Sequence, residues 1–345
     1  MINDSAKNSA LLLANQQFKT RVSRKPRSFV SLMDLNKEEM KNIIQRGVDM
    51  KESPKDFSSV LKGLSIALLF QKTSTRTRCS FENAAIELGA FPAYIDWRTS
   101  NFVLADLRDE IIVLSRFYDV IMARVLKNET LQIMAENSES PIINGMCDRM
   151  HPCQALGDFM TISEFFGDDL NGLHITYIGD GNNVCRSLVH GAINMGAKIT
   201  LCSPQGYMLD QETISLGKGL VSCVDSPAEA VRNADIIYTD TWISMGDEGQ
   251  TEKRLAAFQH YQVNAALLAL APKHALFMHC LPAHPNQEVT PDVLRGARSI
   301  VFDQAENRKH AQKALLEKFV LTNTLYQRKS APLNMVEMNG GQHAC

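Results

Sequence analysis

The sequence holds no long hydrophobic run: nothing in it approaches the ~18 consecutive apolar residues of a membrane-spanning helix. It lacks a surplus of either charge. The 36 lysines and arginines against 38 aspartates and glutamates leave a formal charge of −2, so neither nucleic acid nor an anionic membrane is an expected partner. A cysteine framework is missing too. The cysteines at 79, 147, 153, 185, 202, 223, 280 and 345 have no paired spacing, and several sit in apolar runs where a thiol acts as a small hydrophobe. A reducing, cytoplasmic setting is the expectation. Cys147, His151 and Cys153 lie close in sequence, but no second ligand pair accompanies them and Pro152 stiffens the backbone between two of them. No metal is expected there. The N-terminal region offers one apolar stretch, residues 10–14, too short for a signal peptide. Residues 1–28, with Lys19, Arg21, Arg24, Lys25 and Arg27, read as a polar extension.

What is present is an ordinary globular mixture, 45% hydrophobic and 21% charged. At ~150 residues per domain, 345 residues suggest two domains. Short β-branched runs alternate with amphipathic segments, the pattern of parallel sheets covered by helices. The first set has strands at 64–70, 93–96, 119–125 and 141–145, with helices at 36–51, 77–88, 106–117 and 129–137. A helical period over 153–166 offers Leu156, Phe159, Met160 and Ile162 for burial. Strands then follow at 173–178, 198–202, 219–224, 235–239, 275–280 and 299–302, before a final helix at about 305–319. The expected fold is α/β, with two doubly wound parallel-sheet domains at 1–155 and 156–309. No flexible linker separates them, so a rigid helix near 155–168 bridges them and the active site lies in the cleft. The C-terminal helix, 310–325, is expected to pack back on the first domain.

Ligands of open parallel sheets bind outside the carboxyl ends of the strands, so the residues just after each run matter most. After 64–70 come Ser74, Thr75, Arg76, Thr77 and Arg78 at a strand-to-helix turn. Three hydroxyls and two guanidiniums beside free helical N–H groups suit an oxyanion better than a simple cap does. Arg124 ends an apolar run and needs a partner, either a bound anion or an internal carboxylate. His151 and Gln154 open the bridging helix three residues apart, on neighbouring parts of one face. Gly179-Asp-Gly181 follows a strand, yet Val184 stands where a dinucleotide fingerprint has its third glycine, so no nicotinamide cofactor is expected. Asp240 follows the strand at 235–239 and could take an amine. His279 and Cys280 are neighbours in a strand and should face opposite ways, which argues for a structural or substrate-contacting thiol rather than a nucleophilic pair. A further charged cluster runs from Asp303 to Arg308.

Ser74-Thr-Arg-Thr-Arg78 with Phe81-Glu82, His151-Pro-Cys-Gln154, Asp240 through Ser244-Met-Gly246, His279-Cys-Leu-Pro282 and Gln304-Ala-Glu-Asn-Arg308 occur in one order over about residues 30–325. Together they resemble the aspartate/ornithine carbamoyltransferase family, and the Ser-Met-Gly and His-Cys-Leu-Pro segments resemble its ornithine branch. The resemblance implies a first domain that binds carbamoyl phosphate, a second that binds the amino acid, and a homotrimer. It implies transfer of the carbamoyl group to the side-chain amine of ornithine, giving citrulline and phosphate in arginine metabolism. By the same resemblance Ser74, Thr75, Arg76, Thr77 and Arg124 hold the phosphate, while His151, Gln154 and Arg308 grip the carbamoyl group. Asn183, Asp240, Ser244 and Met245 fix the acceptor, and Cys280 and Leu281 border both carbamoyl phosphate and the attacking amine. Arg76, His151, Arg308 and Cys280 are the expected catalytic residues. No cofactor is implied, because phosphate leaves readily and a neutral amine attacks readily. An alkyl amine of pKa ~10.4 must first lose a proton, and the departing phosphate is the one base in view.

Two segments depart from the family pattern, the loop at 96–110 and Ala283-His284-Pro285-Asn286. Both flank the acceptor pocket and leave lysine or putrescine open as acceptors beside ornithine. A non-catalytic carbamoyl phosphate-binding relative is the other alternative, against which the intact Arg76, His151, Gln154 and Arg308 weigh. The segment 97–101 is the candidate for a loop donated to a neighbouring subunit, with Arg98 as its contact. Its motive is that a free loop would expose Trp97; the alternative is that Trp97 packs on its own domain.

Overall fold

A computed structural model describes residues 25–243 and 248–330, with the side chains of residues 248 and 323–330 left aside. The first sheet is parallel, formed by β1 (Ser65–Phe70), β2 (Phe91–Asp96), β3 (Val120–Arg124) and β4 (Ile142–Met146) in the order β2-β1-β3-β4. The second is parallel as well. It contains β5 (His174–Ile178), β6 (Lys198–Cys202), β7 (Val221–Val224), β8 (Ile236–Thr239) and β9 (Leu276–His279) in the order β7-β6-β5-β8-β9. The order reverses between β1 and β3 and again between β5 and β8. Loops on either side of such a reversal part to leave a crevice. Ser74–Arg78, Asn182–Asn183 and Asp240 lie just past three of those four strands, and Arg124 is the last residue of the fourth, β3.

The helices of the first half, in chain order, are α1 (Lys37–Glu52), α2 (Thr75–Glu87), α3 (Leu107–Phe117) and α4 (Asn128–Asn137). Asn36 caps α1 by accepting from the Glu39 N–H while Glu39 returns the bond, a reciprocal pair that fixes the start of the helix. The bridging helix is α5 (Pro152–Phe166), buried from Pro152 through Ser163. Pro152 sits at its first position, where a missing N–H costs nothing. Beyond α5 come α6 (Asn183–Met195), α7 (Gln211–Leu216), α8 (Pro227–Ala230), α9 (Thr251–Phe258), α10 (Ala265–Ala269), α11 (Pro291–Leu294) and α12 (Val301–Ser330). A single apolar cluster runs from Ile66, Leu68 and Phe70 of β1 through Leu156 and Phe159 of α5 to Ile175 and Tyr177 of β5. The two sheets therefore share a core across α5 and are rigidly joined.

The strand expected at 299–302 does not form. Ser299 makes one isolated parallel bridge to Phe277, and the chain turns at once into α12. The apolar Ile300–Val301 pair is buried by the first helical turn rather than by a strand, and the Gln304 N–H already donates to the Ile300 carbonyl at 2.9 Å. Helix α12 packs against α5, α1 and α2, so the chain's last described element returns to the first half. Where α12 crosses α5, a Cβ on Gly157 would stand 2.9 Å from the Arg308 Cα. Glycine is what lets these backbones approach, and each helix carries a candidate site residue within one turn of that point. No helix among the described residues is long and apolar enough to cross a membrane.

Candidate active site

The β1–α2 turn, the end of β3 and helix α12 converge on one hydroxyl. Ser74 caps α2 in extended geometry, and its oxygen accepts from the Thr77 N–H at 3.3 Å. The buried Thr77 hydroxyl shares a 3.1 Å hydrogen bond with Ser74. It accepts from Arg124 Nη1 at 3.1 Å and from Arg308 Nη2 at 2.5 Å. Arg308 Nη1 donates to Gln154 Oε1 at 3.1 Å. Burial, reinforced by the charges of Arg308 and Arg76, pushes Arg124 down to about 10. Burial chiefly lowers Arg308 as well, with the Arg76 charge adding to it. The Nε atoms of Arg124 and Arg308 are buried without a partner. Among the described residues no carboxylate forms an ion pair with Arg76, Arg124 or Arg308. Mutually repelling guanidiniums at a helix N-terminus call for a multiply charged anion. The internal carboxylate that could have explained Arg124 is absent among the described residues.

Not every residue of the motif belongs to this pocket. Arg78 pairs with Glu82 at 2.8 Å and lies over the Tyr94 ring at 4.0 Å, an exposed pairing on the far side of α2. Composition of the turn alone does not separate it from Arg76. Thr75 is exposed at the first helical position, where its backbone N–H is one of the unpaired donors.

His151 precedes α5, and its ring makes no capping bond, so it is free to face the cleft. Its backbone N–H donates at 2.8 Å to Ser187 of α6, which ties this corner to the second half. Burial, then the charges of Arg308, Arg124 and Arg76, holds the ring well below its ordinary range, and Nδ1 has no partner. A neutral imidazole beside three cations, two of them buried, can donate one hydrogen bond to a carbonyl oxygen without adding a further buried charge.

On the opposite wall, Asp240 follows β8. Its carboxylate accepts from Asn182 Nδ2 at 2.8 Å, from the Thr241 N–H at 2.8 Å and from the Cys280 thiol at 2.9 Å. Burial, with Asp240 adjacent, raises the Cys280 pKa well above its ordinary value, so the thiol keeps its proton and acts as a donor. The expectation that His279 and Cys280 point apart needs correction. β9 ends at His279, so strict alternation no longer governs Cys280, and ligand atoms of Asp240, His279 and Cys280 lie within 4.8 Å of one another. The pair still shares no proton. His279 Nδ1 accepts from the Leu281 N–H at 2.9 Å while Nε2 faces buried Glu288 at 3.2 Å. That bond braces Leu281, which holds a left-handed φ of 57°.

Asn183 reaches back to the first half, Nδ2 donating to the Cys147 carbonyl at 2.7 Å. Asn182 was missed from sequence as a site residue, although an Asn pair at a strand-to-helix turn was the signal. It caps α6 with Oδ1 and orients Asp240 with Nδ2. Gly181 is needed for a local reason, since a Cβ there would stand 2.3 Å from the Leu209 nitrogen. Ser244 and Met245 lie outside the described residues.

The motive for a donated loop at 97–101 is overturned. Trp97 is buried against Phe102, their ring centroids 4.8 Å apart, within its own domain's core. Arg98 is occupied by Asp96, which accepts at 2.7 Å and 3.0 Å.

Arg76, Gln154 and Arg308 from one side and Cys280 from the other line a single cavity of about 270 Å³, which brings the two walls within reach of one small substrate. Residues 27–164 match the family model described as "Aspartate/ornithine carbamoyltransferase, carbamoyl-P binding domain", and residues 171–319 match its "Asp/Orn binding domain". An ornithine carbamoyltransferase of Methylococcus capsulatus is 44% identical over 299 residues, 86% of this chain and 99% of that protein. The solved ornithine carbamoyltransferase of Pyrococcus furiosus is 41% identical, with a TM-score of 0.80 over 86% of this chain and 97% of that one. A solved N-acetyl-L-ornithine transcarbamylase variant is 27% identical, with a TM-score of 0.76 over 85% and 99% of the two chains. With both domain models matched in order, and with an anion pocket and an acceptor wall meeting in one cleft, the chain belongs to the aspartate/ornithine carbamoyltransferase family.

Proposed function

We propose that the chain transfers the carbamoyl group of carbamoyl phosphate to the side-chain amine of L-ornithine, giving citrulline and phosphate. The observation that carries this is the set of three guanidiniums (Arg76, Arg124 and Arg308) without a carboxylate, beside a neutral His151 and opposite Asp240. Phosphate fits against the guanidiniums, with Ser74, Thr75 and Thr77 completing the turn. The carbamoyl oxygen then faces His151 and Arg308, and its NH₂ faces Gln154 Oε1. The neutral amine forms a bond to the carbamoyl carbon as the carbon–oxygen bond to phosphate breaks. Negative charge builds on the carbonyl oxygen meanwhile, and each donor aimed at it is worth roughly 3–4 kcal/mol to such a step. Phosphate leaves with its electron pair and can take the amine proton. The protonated Cys280 thiol serves as a contact, not as that base.

Asn183 and Asp240, with Ser244 and Met245, hold the amino-acid end, and Leu281 borders the amine. Ornithine rather than another amine is favoured by two ornithine enzymes at 44% and 41% identity, against 27% for the acetylornithine enzyme named above. The domain roles follow: 1–155 for carbamoyl phosphate, 156–309 for the amino acid, with 310–325 returning to the first. Within the same reading the enzyme works as a homotrimer in a reducing cytoplasm, in arginine metabolism and without a cofactor. The test is Arg76→Ala, which should remove most carbamoyl phosphate affinity and nearly all turnover while the fold stays intact, with ~1.5–3 kcal/mol at stake per charged hydrogen bond. A folded variant at the wild-type rate would contradict the phosphate assignment.

A further inference from the structure

We infer that Asp158 is a positioning residue of this site: its carboxylate sets which end of the Gln154 amide faces the carbamoyl group. The inference rests on the carbamoyl-transfer reading above. Asp158 lies one turn along α5 from Gln154, where side chains four residues apart meet. Gln154 Nε2 donates to Asp158 Oδ1 at 2.8 Å, so Oε1 must turn the other way, to Arg308 Nη1 at 3.1 Å. Flipping the amide would set an NH₂ against a guanidinium and a carbonyl against a carboxylate. Both contacts would be repulsive, so one orientation is enforced.

That orientation has a chemical consequence. The amino and oxygen ends of a carbamoyl group are nearly equal in size, and a pocket can tell them apart by hydrogen-bond polarity alone. Gln154 presents an acceptor, which takes the NH₂ end and leaves the oxygen to His151 and Arg308, where charge develops. The wrong orientation would put a lone pair against Oε1 and an NH₂ against a cation.

Asp158 is built for this task. It is fully buried, and each described partner of its carboxylate donates: Gln154, Gln304 Nε2 at 2.7 Å and the Tyr238 hydroxyl at 3.0 Å. Gln304 passes the constraint on, its Oε1 accepting from the His279 N–H at 2.9 Å at the start of the acceptor loop. Burial pushes Asp158 up to about 6, so keeping it charged at neutral pH works against stability. An apolar residue would pack this position without that cost, which argues that the carboxylate serves the site.

The experiment is a double-substitution cycle on the full chain: Asp158→Ala, Gln154→Ala and both, with kcat and KM for carbamoyl phosphate at saturating ornithine and thermal midpoints as the fold check. Each single variant should lose on the order of 10–100-fold in kcat/KM, the range one hydrogen bond to a charged group commands. The double variant should fall within about twofold of the worse single one, because Asp158 has nothing left to orient. Losses that multiply would overturn the inference, and so would a folded Asp158→Ala at the wild-type rate. Asp158→Asn keeps the volume and an oxygen for Gln154, with its NH₂ toward the Tyr238 oxygen, so it should retain most of the activity. If the Ala variant fails to fold, the Asn variant still decides, since a folded Asp158→Asn with a loss as large would show that the amide orientation is not what matters. Full activity in Gln154→Ala would instead refute the site reading on which the inference stands.

Discussion

Replacing Thr77 by Val removes one oxygen and leaves the side-chain shape almost unchanged. That oxygen accepts from Arg124 and Arg308 at 3.1 Å and 2.5 Å, and the two cations come from different ends of the fold, β3 and α12. The same oxygen also accepts from the Ser74 hydroxyl at 3.1 Å, so three donors meet on one atom. Each hydrogen bond to a charged group contributes ~1.5–3 kcal/mol, and the two are coupled through one atom, so their sum is an upper limit. Without the oxygen, two buried guanidiniums would repel across a methyl group and lose their aim. We expect unfolding free energy in urea to fall by about 2–4 kcal/mol, and carbamoyl phosphate affinity by calorimetry to fall on the order of 10–100-fold. Thr77→Ser, which restores the acceptor, should recover most of both. A folded Val variant with wild-type affinity would refute the claim that this hydroxyl aims the anion-binding cations.

Other outcomes follow from the same geometry. Asp240→Asn leaves the Cys280 thiol and Asn182 poorly matched and should raise KM for the acceptor by about tenfold or more, while KM for carbamoyl phosphate changes little. At subsaturating acceptor the rate should climb from about pH 6 to about pH 9, because an amine of pKa ~10.4 attacks only when neutral; a flat profile with chemistry rate-limiting would contradict direct attack. Burial holds His190 at about 4 and His151 well below its ordinary value, so on acidification the unfolded chain takes up protons first. Their contribution is whole above pH ~6.5 and is lost as pH falls toward 4, at up to ~1.4 kcal/mol per unit for each ring. Asp158, raised to about 6, runs the opposite way and offsets part of this. Net stability of the unliganded protein should therefore drop by about 1–3 kcal/mol between about pH 6.5 and pH 5, as urea midpoints would report.

The parallel sheets were legible because buried strands such as Ile66–Phe70 and Val120–Ala123 are continuous apolar runs with little else to become. The phosphate turn was legible too, since strand, hydroxyls and arginines are consecutive in sequence. Ser299–Phe302 misled, because Ile300 and Val301 are as apolar as a strand requires, yet the chain makes one isolated bridge at Ser299 and turns into a helix that buries them. Thr77 as a meeting point of Arg124 and Arg308 was out of reach, with partners 47 and 231 residues away. The same holds for Asp158, whose donors come from positions 154, 238 and 304. Trp97 misled for a reason of its own: its ring partner Phe102 lies five residues on, in a loop whose folding back no periodicity announces.

The central claim is that one cleft joins carbamoyl phosphate to the side-chain amine of ornithine. Its most direct test offers the purified chain carbamoyl phosphate with ornithine, lysine, putrescine or N-acetylornithine, and measures ureido product and released phosphate together. The account predicts citrulline and phosphate in equal amounts with ornithine, and a far lower kcat/KM with the other three. Equal or faster product from another amine, or phosphate release without citrulline from folded protein, would contradict it.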